Sequence, residues 1–266
     1  MELSIYQVDA FASEAFTGNP AGVCITDTPL SDELMLSIAK EMSVSETAFL
    51  TRENMNLRWF TPQVEVKLCG HGTLSVAHIL AETGESKVGD LITFNTLSGP
   101  LSAKITDTDI ELNFPTATLT SEQPLNAQLL KALGLKDNDI LSSASFDSKQ
   151  LIEVVDEQVV MSLSPDFTAM KKLSGRGVVI TSASDKSDLD FLSRYFAPWV
   201  GIEEDPVTGS NHCALSLFWG EKLGKTELKA YQASARGGYI DMKLLPGNRT
   251  TLIGKAITTI KGVMFV

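Results

Sequence analysis

Glu46 is the first side chain of this 266-residue sequence whose type and surroundings suit acid–base chemistry. It lies in the segment SVSETAF (43–49), where small hydroxyl residues precede apolar ones, as in a strand that enters a protein core. Burial disfavours the charged form of a carboxyl group, so we expect it to raise the pKa of Glu46 and to suit this group to proton transfer near neutral pH. The alternative is a glutamate on an edge strand that points to water.

Two segments that contain glycine, CGHGT (69–73) and TGSNH (208–212), form the second feature. Each is predicted to be a polar loop that leads into a buried apolar helix, and the two helices end at Gly84 and Gly224. A helix N-terminus has unpaired N–H groups and a partial positive charge, so it binds anions. Two such ends that face one cleft could hold a carboxylate or stabilise an enolate-like transition state. The alternative is that both segments are ordinary turns with Ser or Thr caps.

Several single residues near these segments are further candidates. Gly70, Gly72 and Gly209 would let a ligand approach the backbone closely. His71 could act as an acid or as a hydrogen-bond donor, and its alternative is a structural loop histidine. Asp205 precedes the second segment, where it could orient a base or bind a substrate amine, although an acidic residue before proline is also common in turns.

Metal binding is not predicted. Cys69, His71, His212 and Cys213 are the residues that a zinc site would need, but their local spacings are poor for one. His78 lies inside the first apolar helix and is interpreted as a core residue.

Composition excludes several classes of protein. The formal net charge of −11 argues against a nucleic-acid partner, because such binding needs clustered Lys and Arg. The three cysteines are odd in number and contain no CxxC pair, which indicates a reducing compartment. The apolar segments are too short for a membrane span, and the N-terminal MELSIY is typical of a first strand rather than a signal peptide. We therefore expect a cytoplasmic protein without a membrane partner.

The secondary-structure elements that must position these residues occur in the same order in each half of the chain. Each half is predicted to contain strands and one apolar helix that begins after a glycine segment, which suggests duplication. The predicted fold class is α+β, with two pseudo-symmetric domains, each a curved sheet or half-barrel around a central helix. The predicted boundaries are 1–115 with a returning strand 257–266, and 116–256. In the second half the pattern also predicts a strand at 158–163 and a helix at 187–196.

Five segments, in order, resemble the PhzF-like family of phenazine-biosynthesis-type isomerases, and together they span most of the chain. A weaker match adds Gln232 and the glycines after Arg236. The five segments are GNPAGV (18–23), SETAF (45–49), RWFTP (58–62), LCGHGT (68–73) and EDPVTGS (204–210).

The resemblance implies a diaminopimelate-epimerase-like fold with a cleft between two domains. It also implies that the protein isomerises a small carboxylated substrate by proton transfer, with no metal, pyridoxal phosphate or other cofactor. A homodimer is expected. In the phenazine-pathway member the proton moves on dihydro-hydroxyanthranilate, and we do not assume that substrate here. The implied catalytic residues are Glu46, His71, Asp205 and Ser210, and the implied substrate- or anion-binding residues are Asn19, Gly70, Gly72, Thr73 and Gly209.

Two other functions remain open at this stage. A two-thiol amino-acid racemase or epimerase uses one cysteine from each half, and Cys69 fits the first position. Thr208 stands where the second thiol is needed, and a hydroxyl group is a far weaker acid than a thiol. A non-catalytic protein that binds a small ligand on the same scaffold is the third possibility, but the four implied catalytic residues are all present.

Overall fold

The computed structural model of the protein describes residues 1–121 and 124–266. Within these residues the chain forms strands, α-helices and short 3₁₀ helices. The α-helices are α1 (Asp32–Met42), α2 (Gly70–Glu82), α3 (Ala127–Leu133), α4 (Glu157–Ser162), α5 (Phe167–Lys171) and α6 (Gly209–Leu223), and the 3₁₀ helices are Arg52–Asn54, Asp137–Asp139 and Pro198–Val200. The strands are β1 (Glu2–Ala10), β2 (Asn19–Thr26), β3 (Glu46–Thr51), β4 (Asn56–Phe60), β5 (Glu65–Val66), β6 (Leu91–Thr96), β7 (Gly99–Ile105), β8 (Ile110–Pro115), β9 (Thr120–Ser121), β10 (Ile140–Phe146), β11 (Lys149–Val154), β12 (Val178–Ala183), β13 (Phe191–Ala197), β14 (Ile202–Glu204), β15 (Glu227–Gln232), β16 (Gly238–Leu245), β17 (Arg249–Gly254) and β18 (Ala256–Phe265).

The chain divides into two compact units. Unit 1 contains residues 1–114 and 251–266, and unit 2 contains residues 115–250. The divisions fall inside β8 and β17, so the second one lies earlier than the position 256/257 suggested by the sequence. Only Lys255 separates β17 from β18, and so short a gap gives no break in the sequence pattern.

Unit 1 is a mixed sheet that packs on α2. In it β1 and β2 are antiparallel, β2 and β3 parallel, β3 and β4 antiparallel, β4 and β6 parallel, and β6 and β7 antiparallel. The short β5 adds to β4, and β18 pairs with β1. The helix α2 is buried on nearly every side because its residues are apolar or small, and it contacts β1, β2, β3, β7 and β18.

Unit 2 repeats this order of pairings. Here β10 and β11 are antiparallel, β11 and β12 parallel, β12 and β13 antiparallel, β13 and β15 parallel, and β15 and β16 antiparallel. The short β14 adds to β13 as β5 adds to β4, and α6 follows β14 as α2 follows β5. Trp219 of α6 stacks on Phe191 of β13 at a centroid distance of 5.5 Å. The shared order supports the duplication inferred from the sequence.

Both central helices begin earlier than the sequence pattern indicates. Residues 70–73 and 209–211 belong to the first helical turns rather than to the loops that lead into them, and the second helix was predicted to begin only at His212. Glycine lowers helix propensity, which is why the pattern placed these residues outside the helix. The Sγ atom of Cys69 accepts a hydrogen bond from the Gly72 N–H at 3.3 Å and so caps α2. Within the described residues, no helix combines the length and the apolar character that a membrane span requires.

Two predicted elements of unit 2 have the wrong type. Residues 187–196 were predicted to be helical, but Phe191–Ala197 forms β13, in which six of the seven residues are buried between two neighbouring strands. Residues 158–163 were predicted to be a strand, but Glu157–Ser162 forms α4, whose start is capped by Asp156. In both places the apolar residues occur in short groups, VVM (159–161) in one and FL (191–192) and YF (195–196) in the other, and such groups fit either type of element.

Candidate active site

Glu46 and His71 form a buried pair in unit 1. Glu46 is the first residue of β3 and His71 is the second residue of α2, so each side chain leaves the end of its element. The Oε2 atom of Glu46 lies 3.3 Å from Nε2 of His71, and their side chains are 15% and 8% exposed. The structure thus brings together two of the residues that the resemblance implies to be catalytic.

Asn19 and Ser45 also contact the imidazole ring, Asn19 at Nδ1 and Ser45 at Nε2. Gly18 has a φ of +65° and a Cβ there would lie 2.2 Å from the Ala10 carbonyl oxygen, so the turn before β2 requires glycine and places Asn19 at the start of the strand. The Nδ2 atom of Asn19 lies 3.5 Å from Nδ1 of His71. The Ser45 hydroxyl lies 3.2 Å from Nε2 of His71 and donates to Oδ1 of Asn19 at 3.4 Å. Ser45 lies in one of the five segments that resemble the family, but no role for it is predicted from the sequence.

The charges of this pair stabilise each other. Burial acts to raise the pKa of Glu46, but the hydrogen bond and charge of His71, with a hydrogen bond from Ser45, hold it below its ordinary value. Burial acts to lower the pKa of His71, but the Cys69 sulfur and the Glu46 carboxylate raise it well above its ordinary value. The predicted net rise in the pKa of Glu46 is wrong, because the hydrogen bonds and the charge that favour the carboxylate outweigh the effect of burial. Both shifts favour the charged forms, a carboxylate on Glu46 and an imidazolium on His71.

Cys69 lies against the same imidazole. Its Sγ atom is 3.6 Å from Nδ1 and 3.8 Å from Nε2 of His71. Burial raises the pKa of the Cys69 thiol, and the nearby imidazolium does not compensate for it. A thiol with a raised pKa is a poor nucleophile and a poor proton acceptor at neutral pH.

Glu46, Cys69 and His71 offer potential metal ligands within 4.8 Å of one another. A metal ion binds a thiolate and a neutral imidazole, so it would have to displace the protons that Cys69 and His71 hold. This set of donors therefore fits acid–base chemistry better than a metal centre.

Gly70, Gly72 and Thr73 form the first turn of α2 with His71. A Cβ on Gly72 would lie 2.8 Å from Cδ1 of Trp59 and 3.0 Å from Sγ of Cys69. The Thr73 hydroxyl donates to the Cys69 carbonyl oxygen at 2.7 Å. The glycine is therefore required by the close approach of two side chains, in addition to any approach by a ligand.

Asp205 belongs to unit 2 and fixes the segment before α6. Its carboxylate accepts a hydrogen bond from the Thr208 hydroxyl, so this hydroxyl does not cap the helix. The Gln232 side chain spans the same segment. It donates to the Asp205 carbonyl oxygen at 2.7 Å and accepts from the Thr208 N–H at 2.9 Å. Gln232 belongs to the weakest of the segments that resemble the family, and these contacts give it a structural role.

Ser210 and Gly209 lie in the first turn of α6, beside Lys149. The Lys149 ammonium donates to Oγ of Ser210 at 3.2 Å and to Oδ1 of Asn211 at 2.7 Å. Sequence reasoning missed Lys149, because an isolated lysine after a turn carries no signal of burial.

His78, His212 and Cys213 have contacts or pKa shifts that indicate structural roles. Nε2 of His78 lies 3.1 Å from the Thr258 hydroxyl, and its side chain is partly exposed. Burial lowers the pKa of His212 to about 4, and its Nδ1 lies 2.9 Å from the Thr208 carbonyl oxygen. Burial raises the pKa of the Cys213 thiol to about 12.

Comparison with known proteins adds independent findings. The family model described as "Phenazine biosynthesis-like protein" (PhzC-PhzF) matches residues 8–262. An uncharacterized isomerase of Halalkalibacterium halodurans is 44% identical over 268 residues, which cover 100% of each chain. A crystal structure of a phenazine biosynthesis protein of the PhzF family from Enterococcus faecalis has a TM-score of 0.92 and 38% identity, with 100% of each chain covered.

A more distant likeness concerns the fold alone. A hydroxyproline epimerase from Agrobacterium vitis, solved with bound trans-4-hydroxy-L-proline, has a TM-score of 0.65 and 12% identity. The likeness covers 98% of this chain and 92% of that one. Together these likenesses confirm the predicted α+β fold class, and the names of the relatives support an isomerase.

Proposed function

This chain belongs to the phenazine biosynthesis-like (PhzC-PhzF) family, and from that premise we propose that it is a cofactor-independent isomerase that moves a proton on a small carboxylated substrate. Glu46 is the proposed proton carrier. The observation that carries this proposal is its buried contact with His71, in which Oε2 and Nε2 are 3.3 Å apart. A general base must be unprotonated before the reaction, and the lowered pKa of Glu46 meets that requirement.

The proposed step begins when the Glu46 carboxylate removes a proton from a carbon atom of the substrate. The electron pair of the broken C–H bond moves into the adjacent π system of the substrate. The proton on the Glu46 carboxyl group exchanges with solvent, and Glu46 then delivers a proton to another carbon, so atoms and charge balance without a redox partner. One carboxyl group that works on one face of the substrate favours a proton shift, since epimerisation needs a second acid on the opposite face.

Charge that develops on the substrate needs partners. The His71 imidazolium is a hydrogen-bond donor within reach of the same region, and the N–H groups in the first turn of a helix favour an anion. Asn19 and Ser45 are proposed to position the imidazole. In unit 2, Asp205 and Ser210 are proposed to bind the substrate, with Gly209 at the start of α6.

Solvent-deuterium uptake tests this function directly. The protein is first dialysed against EDTA and then incubated in D₂O with a panel of small carboxylates. The panel contains dihydro-hydroxyanthranilate, trans-4-hydroxy-L-proline, and unsaturated carboxylates with a C–H beside the double bond. Mass spectrometry is expected to find one deuterium in at least one of them, and NMR is expected to locate it on a new carbon.

Three results would contradict parts of the proposal. Uptake that disappears after EDTA treatment and returns with a divalent metal would contradict cofactor independence. Deuterium on the original carbon, with inversion of configuration, would favour an epimerase. Binding of carboxylates without any uptake across the panel would favour a non-catalytic binding protein.

A further inference from the structure

Lys149 is a buried cation that the proposed mechanism does not use. We propose that Lys149 is the cationic anchor of the site in unit 2, where its ammonium group binds the carboxylate of the substrate together with Ser210 and Asn211. The inference rests on the proposed function for the class of substrate, a small carboxylate. It adds the residue that recognises the charge of that substrate.

The hairpin between β10 and β11 fixes the position of Lys149. Its two-residue loop consists of Asp147 and Ser148, whose φ values are 46° and 62°. Positive φ at both loop residues is typical of the type I′ turn, the tight turn that joins two antiparallel strands. Lys149 is the first residue of β11 and is 7% exposed. Its Nζ atom lies 5.3 Å from the ring centre of Phe146 and 5.2 Å from that of Tyr195.

Within the residues that the structure describes, the buried ammonium group forms no ion pair with a carboxylate. Its hydrogen bonds go to neutral atoms, Oγ of Ser210 and Oδ1 of Asn211. A buried charge without a counterion is costly, so a buried lysine is normally paired. A carboxylate ligand would supply the missing negative charge.

Asn211 supplies a second and independent observation. It is 1% exposed, and its Nδ2 atom is buried without a hydrogen-bond partner in the part of the chain that the structure describes. Its Oδ1 atom accepts from Lys149, so the unsatisfied amide donor lies close to the ammonium group. The N–H groups in the first turn of α6 are donors of the same kind, since the Thr208 side chain does not cap them. These donors and the ammonium group together make a site for an anion.

The repeated topology places Lys149 where unit 1 has a residue of its site. Asn19 begins β2 and contacts His71, the second residue of α2. Lys149 begins β11, which takes the place of β2 in unit 2, and contacts Ser210, the second residue of α6. In each unit, therefore, the first residue of this strand contacts the second residue of the central helix. In unit 2 that first residue is the cationic Lys149.

This anchor depends on pH. Burial lowers the pKa of Lys149 to about 8, assisted by Arg176, while Asp147, Asp205 and Cys213 act in the opposite direction. Burial raises the pKa values of Tyr195 and Cys213 to about 12, so neither of these neighbours titrates between pH 7 and pH 9.5. If only the ammonium form binds a carboxylate, affinity falls by about 30-fold over that interval.

The test uses benzoate and acetate as ligands for the 266-residue protein. Their binding is followed through the backbone amide signals of residues 209–211 in ¹H–¹⁵N spectra, and benzamide is the uncharged control. At pH 7 we expect both carboxylates to shift these signals, and Lys149→Met to weaken their binding by at least about tenfold. Lys149→Arg is charged at every pH tested, so it should bind the carboxylates at pH 9.5 as well as at pH 7.

Several outcomes would overturn the anchor. These are no response of residues 209–211 to either carboxylate, an affinity of wild type that does not change between pH 7 and pH 9.5, and a Lys149→Met affinity within about twofold of wild type. The pH series of wild type decides the question even if Lys149→Met does not fold. Glu46→Gln should bind benzoate as wild type does, so a failed proton carrier and a failed anchor give different results.

Discussion

At the scale of single residues, the chemistry of Glu46 depends on its partner His71. The lowered pKa of Glu46 and the raised pKa of His71 both favour the charged pair. Glu46 contributes stability above its unfolded pKa of about 4.3, and this is lost as the pH falls through its lower folded pKa. His71 contributes stability below its unfolded pKa of about 6.5, and this is lost as the pH rises through its higher folded pKa. Both shifts therefore widen the pH range over which the charged pair stabilises the fold.

The substitution His71→Gln removes the cation from this pair. Burial then acts on Glu46 without opposition from the imidazolium, so its pKa should rise above the wild-type value. We expect the acidic limb of the pH–rate profile for deuterium uptake to move to higher pH. An acidic limb that stays in place, with the rate merely reduced, would show that His71 does not control the protonation of Glu46.

The substitution Cys69→Ser distinguishes the proposed isomerase from a two-thiol racemase. Serine retains a side-chain acceptor for the Gly72 N–H, and the raised pKa of the thiol disfavours the thiolate that a two-thiol racemase uses as its base. We expect deuterium uptake within about tenfold of wild type. A loss of about 10³-fold in a variant that unfolds at the wild-type temperature would instead indicate thiol chemistry.

At the scale of elements, the first turns of α2 and α6 position the site residues. The sequence predicts the existence and the buried character of both helices, since their residues are apolar all round. Their starts are not predicted, because glycine lowers helix propensity. In α2 the side chains of Cys69 and Trp59 leave room only for a glycine at position 72, and local patterns do not contain such contacts. The mistaken types of α4 and β13 have a similar cause, since packing between neighbours decides short apolar runs.

Gly72→Ala tests how closely α2 packs at its start. The added methyl group would lie 2.8 Å from Cδ1 of Trp59 and 3.0 Å from Sγ of Cys69. Overpacking costs about 1–3 kcal/mol and the helix propensity of alanine returns up to about 1 kcal/mol, so we expect a net loss in the free energy of unfolding by urea denaturation.

Gly262→Ala is the matched control, because no atom lies within 4 Å of a Cβ at that position of β18. We expect its free energy of unfolding to stay within about 0.5 kcal/mol of wild type. Equal stabilities of Gly72→Ala and Gly262→Ala would show that α2 begins with more space than the structure indicates.

At the scale of the whole molecule, the sequence predicts the family and the fold class, because five ordered segments are far more specific than any single one. The repeated strand order of the two units agrees with the duplication that the two glycine segments suggest. Lys149 and the net direction of the Glu46 pKa are not predicted. Both depend on contacts between residues far apart in the sequence, 61 positions for Lys149 and Ser210, which local patterns do not contain.

The most direct test of the account is the rate of deuterium uptake from D₂O by wild type and by Glu46→Gln, with the substrate found in the carboxylate panel. Glutamine keeps the shape and the hydrogen-bonding ability of glutamate but cannot carry a proton. The account predicts a loss of about 10²–10⁴-fold with carboxylate binding retained. Equal uptake by the two proteins would contradict it, because the proton would then be carried by another group.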